Sequence, residues 1–118
     1  MGSRRTLALV LSALAAPAAA GPASLPDFAA CAGRYAATVE HLWLTDGAAA
    51  DRAARARDAF ADLDAATDPG GPWALHRRIE AKAAQRALWE RATFAGDARA
   101  ARLARDWIAR CDSLLPGM

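Results

Sequence analysis

Apolar residues recur every three or four positions in four separate stretches of the chain, the spacing that places them on one face of an α-helix. The pattern predicts helices over residues 26–45, 49–66, 72–94 and 98–115. Alternating runs of β-branched and aromatic residues, which indicate strands, do not occur. The sequence therefore predicts an all-α domain.

The helices differ in how completely their large apolar residues share one face. The first helix's face comprises Phe28, Cys31, Ala32, Tyr35, Val39, Leu42 and Trp43, with Arg34 and His41 outside it. The last helix's face comprises Ala100, Leu103, Ala104, Trp107, Ile108, Cys111, Leu114 and Leu115. On the third helix, Leu75, Ile79 and Phe94 share one side, and Leu88 lies half a revolution away. That helix either contacts neighbours on two sides or leaves apolar surface exposed.

Residues typical of helix ends separate these stretches. Pro26 suits the first helical position, with Asp27 complementing the helix dipole. Gly47 is expected to stop the first helix, while Asp46 and Asp97 are expected to cap the second and fourth helices at their N-termini. The run 67–72 and the end at 116–117 contain further breaks.

Composition strengthens the helical prediction, because 35 of the 118 residues are alanine, the best helix former. The formal net charge of +2 comes from Arg4 and Arg5, and without them 13 basic and 13 acidic residues remain. A neutral domain has no electrostatic footprint for nucleic acid or anionic lipid.

Residues 1–20 have the layout of a secretory signal peptide: the basic pair Arg4 and Arg5, an apolar run over 7–16, and small residues at 18–20. We expect cleavage after Ala20, with Ala18 as the alternative, leaving residues 21–118 as a single helical domain in the periplasm or outside the cell. The apolar run is too short to span a membrane. Both the general secretory route and the twin-arginine route are compatible with the basic pair.

Cys31 and Cys111 are the only cysteines, and an exported protein favours a disulfide between them. Four helices with short connections form an up-down-up-down bundle, in which the start of the first helix meets the end of the last. A three-helix arrangement would instead separate the two cysteines. We therefore predict a small four-helix bundle closed by one disulfide. The alternative for Cys31 is acylation, because residues 28–31 resemble a lipobox.

No set of residues predicts an active site. His41 and His76 are expected at opposite ends of the bundle, too far apart to share a metal, and His76 with Glu80 is expected to form a surface ion pair. The sequence lacks the Cys-x-x-Cys-His motif that covalent haem attachment requires, and neither serine of the mature chain lies in a nucleophile motif. We therefore predict no enzyme, no cofactor and no metal.

Tryptophan is enriched in protein interfaces, and Trp89 lies away from the side of the third helix that Ile79 marks. The predicted interaction patch comprises His41, Leu44, Leu88 and Trp89, with core packing as the alternative. Its partner would be another protein or a second copy of the chain.

Three segments, Cys31-Ala-Gly-Arg-Tyr, Glu40-His-Leu-Trp-Leu-Thr-Asp and Arg78-Ile-Glu-Ala-Lys-Ala-Ala, resemble small exported helical proteins of high-GC bacteria that have no assigned function. The resemblance implies an exported helical domain and does not identify functional residues. The hypothesis is a periplasmic binding or interaction module. The alternatives are a small-ligand carrier or enzyme that uses the bundle interior, and an acid-stress chaperone-like protein, by analogy of architecture.

Overall fold

The computed structural model describes residues 27–67 and 71–115, and these fold into four α-helices without a strand among them. The helices are α1 (Phe28–Leu42), α2 (Gly47–Thr67), α3 (Pro72–Phe94) and α4 (Ala98–Asp112). The all-α prediction is confirmed, and every predicted boundary lies within three residues of the observed one. The predicted signal peptide over 1–20, its cleavage sites, Pro26 and the breaks at 68–70 and 116–117 lie outside the described residues.

Aspartates cap three of the four helices. A carboxylate oxygen of each accepts a hydrogen bond from the backbone N–H three residues later, which satisfies a donor that has no partner inside the helix. The three bonds are Ala30 N to Asp27 at 2.7 Å, Ala49 N to Asp46 at 3.0 Å and Ala100 N to Asp97 at 3.0 Å. Asp27 is thus the cap itself, and its predicted position inside the first turn is wrong.

The glycines at the two loops act differently from each other. Gly47 is the first residue of α2, so the prediction that it stops the first helix is wrong; α1 ends at Leu42. Gly96 has a φ of 62°, the left-handed conformation that glycine adopts without a steric penalty. It turns the chain between α3 and the Asp97 cap of α4.

Ion pairs and the disulfide establish the direction of each helix. Near the start of α1, Asp27 pairs with Arg77 at 2.6 Å, and near its end Glu40 pairs with Arg86 at 2.7 Å, so α1 and α3 run parallel. Cys31 at the start of α1 bonds to Cys111 at the end of α4, which makes these two helices antiparallel. The predicted up-down-up-down bundle is confirmed.

The Cys31–Cys111 disulfide joins residues 80 positions apart, with Cα atoms at 5.6 Å. Both cysteines are fully buried and lie in the main core with Tyr35, Val39 and Phe60. The predicted bridge is therefore confirmed, and the sulfur atoms form part of the packing between the first and last helices.

Helix α1 is the central element, because it packs against all three other helices. Residues on every side of it are buried, including Gly33 and Arg34. The prediction that Arg34 lies outside the core face is wrong, and so is the placement of Trp43 in the core, since Trp43 is exposed. An amphipathic pattern marks the side rich in large apolar residues, but small residues at 29, 33 and 37 form a second packing face towards α3.

Helices α1 and α3 pack closely against each other. A Cβ atom built on Gly33 would lie 2.2 Å from the carbonyl oxygen of Arg78, so the two backbones meet directly at this point. Helix α2 packs mainly on α1, and α4 packs on α3 and α1. A groove therefore remains between α2 and α3, and Ala32 and Ala36 of α1 contribute to its lining.

The predicted apolar side of α3 is the side that remains exposed. Leu75, Ile79 and Phe94 are all solvent-exposed, whereas Ala81, Gln85 and Leu88 on the opposite side are buried. Of the two arrangements that the sequence allowed, exposed apolar surface is the one observed. Leu75, Ile79 and Phe94 are therefore available for contacts outside the domain.

Candidate functional site: an apolar groove at one end of the bundle

The C-terminal ends of α1 and α3 leave a hollow between them at the end of the bundle opposite the disulfide. We call it the tip groove; its volume is about 310 Å³. The two helices are in close contact at Gly33 and Arg78, and further along α3 the large Trp89 side chain lines the hollow. The lining residues are Ala37, Glu40, His41, Leu44, Thr45, Arg86, Trp89, Glu90, Thr93 and Phe94.

One wall of the tip groove is a stacked pair of rings, His41 and Trp89. Their centroids are 4.4 Å apart and their planes are 4° from parallel. The indole N–H of Trp89 donates a hydrogen bond of 3.1 Å to the hydroxyl of Thr38, which in turn donates to the carbonyl of Arg34 at 2.9 Å. These bonds satisfy the polar atom of the indole and hold the wall in place.

An ionic cluster lies at the rim of the tip groove, and two of its members, Glu40 and Arg86, line the groove. The carboxylate of Glu40 on α1 receives Lys82 at 2.8 Å and Arg86 at 2.7 Å, both from α3. The hydrogen bond from Lys82 is the main cause that lowers the pKa of Glu40 below its ordinary value of 4.5. Because these groups are substantially exposed, the cluster orients the two helices more than it stabilises the fold.

Two large apolar residues that line the groove, Leu44 and Phe94, are exposed to solvent. Leu44 is 97% exposed, Phe94 is 86% exposed, and Trp43 at the same end is 71% exposed. Scattered exposed apolar residues are ordinary, but a cluster of them beside a hollow marks an interaction site. The tip groove and its rim are therefore the candidate functional surface.

The structure brings together three of the four residues of the predicted patch. His41, Leu44 and Trp89 all line the tip groove. Leu88 does not contribute, because it is buried against Ala100 and Ala104 of α4. The helical repeat places Leu88 and Trp89 about 100° apart, so the two residues serve different faces of α3.

The predicted patch did not include Phe94 or Trp43: Trp43 was predicted on the core face of the first helix, and the sequence left open whether the side of the third helix that carries Phe94 is covered. Each lies at or just past the C-terminal end of its helix, where neighbouring helices no longer cover a side chain. The break at Gly96 gave a usable signal for Phe94, since an apolar residue in the last turn before a break is positioned to extend beyond the bundle.

A second hollow, of about 300 Å³, lies on the other side of the His41–Trp89 stack, between α1 and α4. Its lining combines an apolar part from Leu42, Ile108 and Trp89 with polar groups that converge from several elements. The polar lining residues are Thr38, His41, Arg105 and Asp112. Burial raises the pKa of Asp112, and its carboxylate accepts a hydrogen bond from the hydroxyl of Tyr35.

A buried polar cluster beneath the stack ties α1, α3 and α4 together. Arg34 donates to the side-chain oxygen of Gln85 at 2.7 Å, and the Gln85 amide donates to the carbonyl of Ala104 at 3.0 Å. The guanidinium also lies 3.8 Å from the centre of the Trp107 ring, a favourable cation–π distance. Burial, with a smaller contribution from nearby Arg110, lowers the pKa of Arg34 to about 10, so it remains charged at neutral pH.

Histidine and carboxylate side chains do not assemble a metal site within residues 27–67 and 71–115. His76 and Glu80 form the predicted surface ion pair, with a distance of 3.0 Å between Nε2 and Oε1. The tip groove offers apolar surface, an aromatic wall and an ionic cluster at its rim.

We expect the free energy of unfolding to fall as the pH is lowered from 7 to 5, through His41. Burial lowers the pKa of His41 below its ordinary value of 6.5. The unfolded chain then binds more protons in this window, so stability present above pH 6.5 is lost as the pH falls towards the folded-state pKa. Urea unfolding at several pH values measures the slope.

His41→Gln should reduce that slope, and His76→Gln, which changes the exposed histidine on α3, is the matched control. An unchanged slope in His41→Gln would contradict this assignment.

In the described part of the chain, no helix combines the length and apolar character needed to cross a membrane. Comparison with known proteins adds no relative: no family model matches the chain, and neither a curated protein nor a solved structure matches it at a significant level.

Proposed function

We propose that this protein is a small exported interaction module, periplasmic or secreted, that binds a protein partner through the tip groove. The observation that carries the proposal is the pair of highly exposed apolar side chains, Leu44 and Phe94, that line a hollow together with Trp89. Apolar and aromatic side chains around a pocket are what protein interfaces use as anchors. The proposed role requires no catalytic group.

The disulfide supports the proposed location. Disulfides persist in oxidising compartments such as the periplasm and the extracellular space. The Cys31–Cys111 bridge is buried in the core, so it serves the fold and leaves the tip groove as the surface for function. The secretory layout of residues 1–20 and the resemblance to exported helical proteins favour the same location.

Site-specific photocrosslinking in the exporting cell tests the proposal. A photoreactive phenylalanine is placed at Phe94 or Leu44 in the full chain, with Trp73 and Leu75 near the start of α3 as controls. These controls are also apolar and exposed, at 70% and 59%, but lie at the opposite end of the bundle. We expect a discrete crosslinked product from the two tip positions only. Equal crosslinking from all four positions, or none, would contradict the proposed function.

A small-ligand carrier is the second candidate, and the hollow between α1 and α4 is the observation that favours it. Its volume of about 300 Å³ reaches the lower end of ligand pockets, and its polar groups converge on an apolar wall. Native mass spectrometry of the exported protein tests this candidate. A retained small molecule that Arg105→Ala releases would support it, and a ligand-free protein would argue against it.

The acid-stress chaperone alternative has one observation in its favour, the lowered pKa of His41. When the pH falls, protonation of His41 destabilises the folded domain. A less stable domain exposes apolar surface more readily, and a chaperone that acts at low pH needs such exposure. This alternative predicts that a client protein stays soluble at pH 5 with the wild-type chain and less so with His41→Gln.

A further inference from the structure

We infer that the tip groove binds a second copy of this chain, packed about a twofold axis. The inference rests on the proposed function, because it names the partner of the same surface. Three properties of the tip groove carry it: its shape, its charge and the apolar area around it.

The shape is self-complementary. A twofold interface uses the same patch on both subunits, so one patch must contain both the projecting groups and the space that receives them. The tip groove meets this condition, since Leu44 and Phe94 project into solvent beside a hollow of about 310 Å³. In the dimer, Leu44 or Phe94 of the partner subunit enters the hollow against Trp89 and Ala37.

The charge is also self-complementary. The rim carries both signs, with Glu40 and Glu90 opposed by Arg86. Glu90 and Arg86 are four residues apart on α3, so they lie on the same face of that helix. A twofold axis beside this face sets Glu90 of one copy near Arg86 of the other, and the reverse contact follows by symmetry. A strongly charged partner would gain little from a rim of mixed sign.

The exposed area suits a reversible dimer. A Phe side chain offers about 150 to 250 Å², so at its observed exposure Phe94 presents roughly 170 Å² per copy, and Leu44 is exposed almost completely. Two copies of these side chains and of the groove lining offer less than the roughly 1,200 to 2,000 Å² of a stable interface, an area typical of weak, transient complexes. We therefore expect an equilibrium between monomer and dimer.

Sedimentation equilibrium of the purified, exported protein with its disulfide intact tests the inference. We expect dimers to appear at roughly 10 to 100 µM, the range for a small interface. Leu44→Asp and Phe94→Asp should each weaken the dimer at least ten-fold, because each places a carboxylate in the apolar contact. Circular dichroism verifies that both variants fold, which we expect because both positions are highly exposed.

Leu75→Asp and Trp73→Asp, exposed positions near the start of α3, are the matched controls and should leave the dimer unchanged. A protein that stays monomeric at the highest concentration, or that loses the dimer equally in the controls, overturns the inference. If the chain is monomeric while Phe94 crosslinks to a different protein in the cell, the proposed function stands and the second copy is excluded. If the chain neither dimerises nor crosslinks to another protein, the proposed function and the inference of a second copy are both wrong.

Discussion

Opening the Cys31–Cys111 disulfide is expected to lower the free energy of unfolding by about 4 to 5 kcal/mol. The bridge closes a loop of 80 residues, and a loop of this length restricts the unfolded chain by that amount in the chain-entropy model. Domains of this size have total stabilities of about 5 to 15 kcal/mol. The loss is therefore a large fraction of the whole. Urea unfolding of the oxidised and reduced protein, followed by circular dichroism, measures it.

The variant with both cysteines changed to alanine separates the bridge from side effects of the reductant. Its stability should match that of the reduced wild-type protein to within the small effect of removing two buried sulfur atoms, and adding reductant should not change it. A difference below about 1 kcal/mol between oxidised and reduced wild-type protein would contradict the prediction, because it would mean that the unfolded chain gains little freedom when the loop opens.

Gly33→Ala is expected to lower the free energy of unfolding by about 2 to 3 kcal/mol. The new Cβ would lie 2.2 Å from the carbonyl oxygen of Arg78 and 3.0 Å from the amide nitrogen of Lys82. Both are backbone atoms, which cannot rotate out of the way, so α1 and α3 must separate. Alanine gains about 1 kcal/mol over glycine in helix propensity, but the steric cost exceeds that gain. Chemical denaturation measures the net effect.

Gly47→Ala is the matched control for this substitution. Gly47 also lies in a helix, yet a Cβ atom there meets nothing within 4 Å. The same chemical change should therefore leave stability unchanged or raise it by up to about 1 kcal/mol. Equal stability of the two variants would mean that the close contact between α1 and α3 does not affect the free energy of unfolding.

The candidate site was predictable in part. Leu44 and His41 were identifiable because they lie near the end of the first helix, and Trp89 because it lies off the side of α3 that Ile79 marks. Leu88 was assigned to the patch wrongly, because a helical pattern shows which residues share a face but not which face another helix covers. Phe94 was missed for the same reason, since the pattern left open whether its side of α3 is covered, and that side is exposed.

The sequence by itself determined the local structure: four helices, their boundaries, the caps at Asp46 and Asp97, and the pairing of Cys31 with Cys111. These depend on interactions between residues close in the chain, or on the single pairing that two cysteines allow. Only the tertiary structure decided that α1 is central and meets α3 at Gly33, with Arg34 buried against Gln85 and Trp107. Small residues are hard to recognise in an apolar pattern, because they contribute by letting another backbone come close. Whether a backbone comes close depends on the partner helix, which the pattern does not show. The tip groove follows from this approach, since α1 and α3 touch at one end and enclose open space at the other.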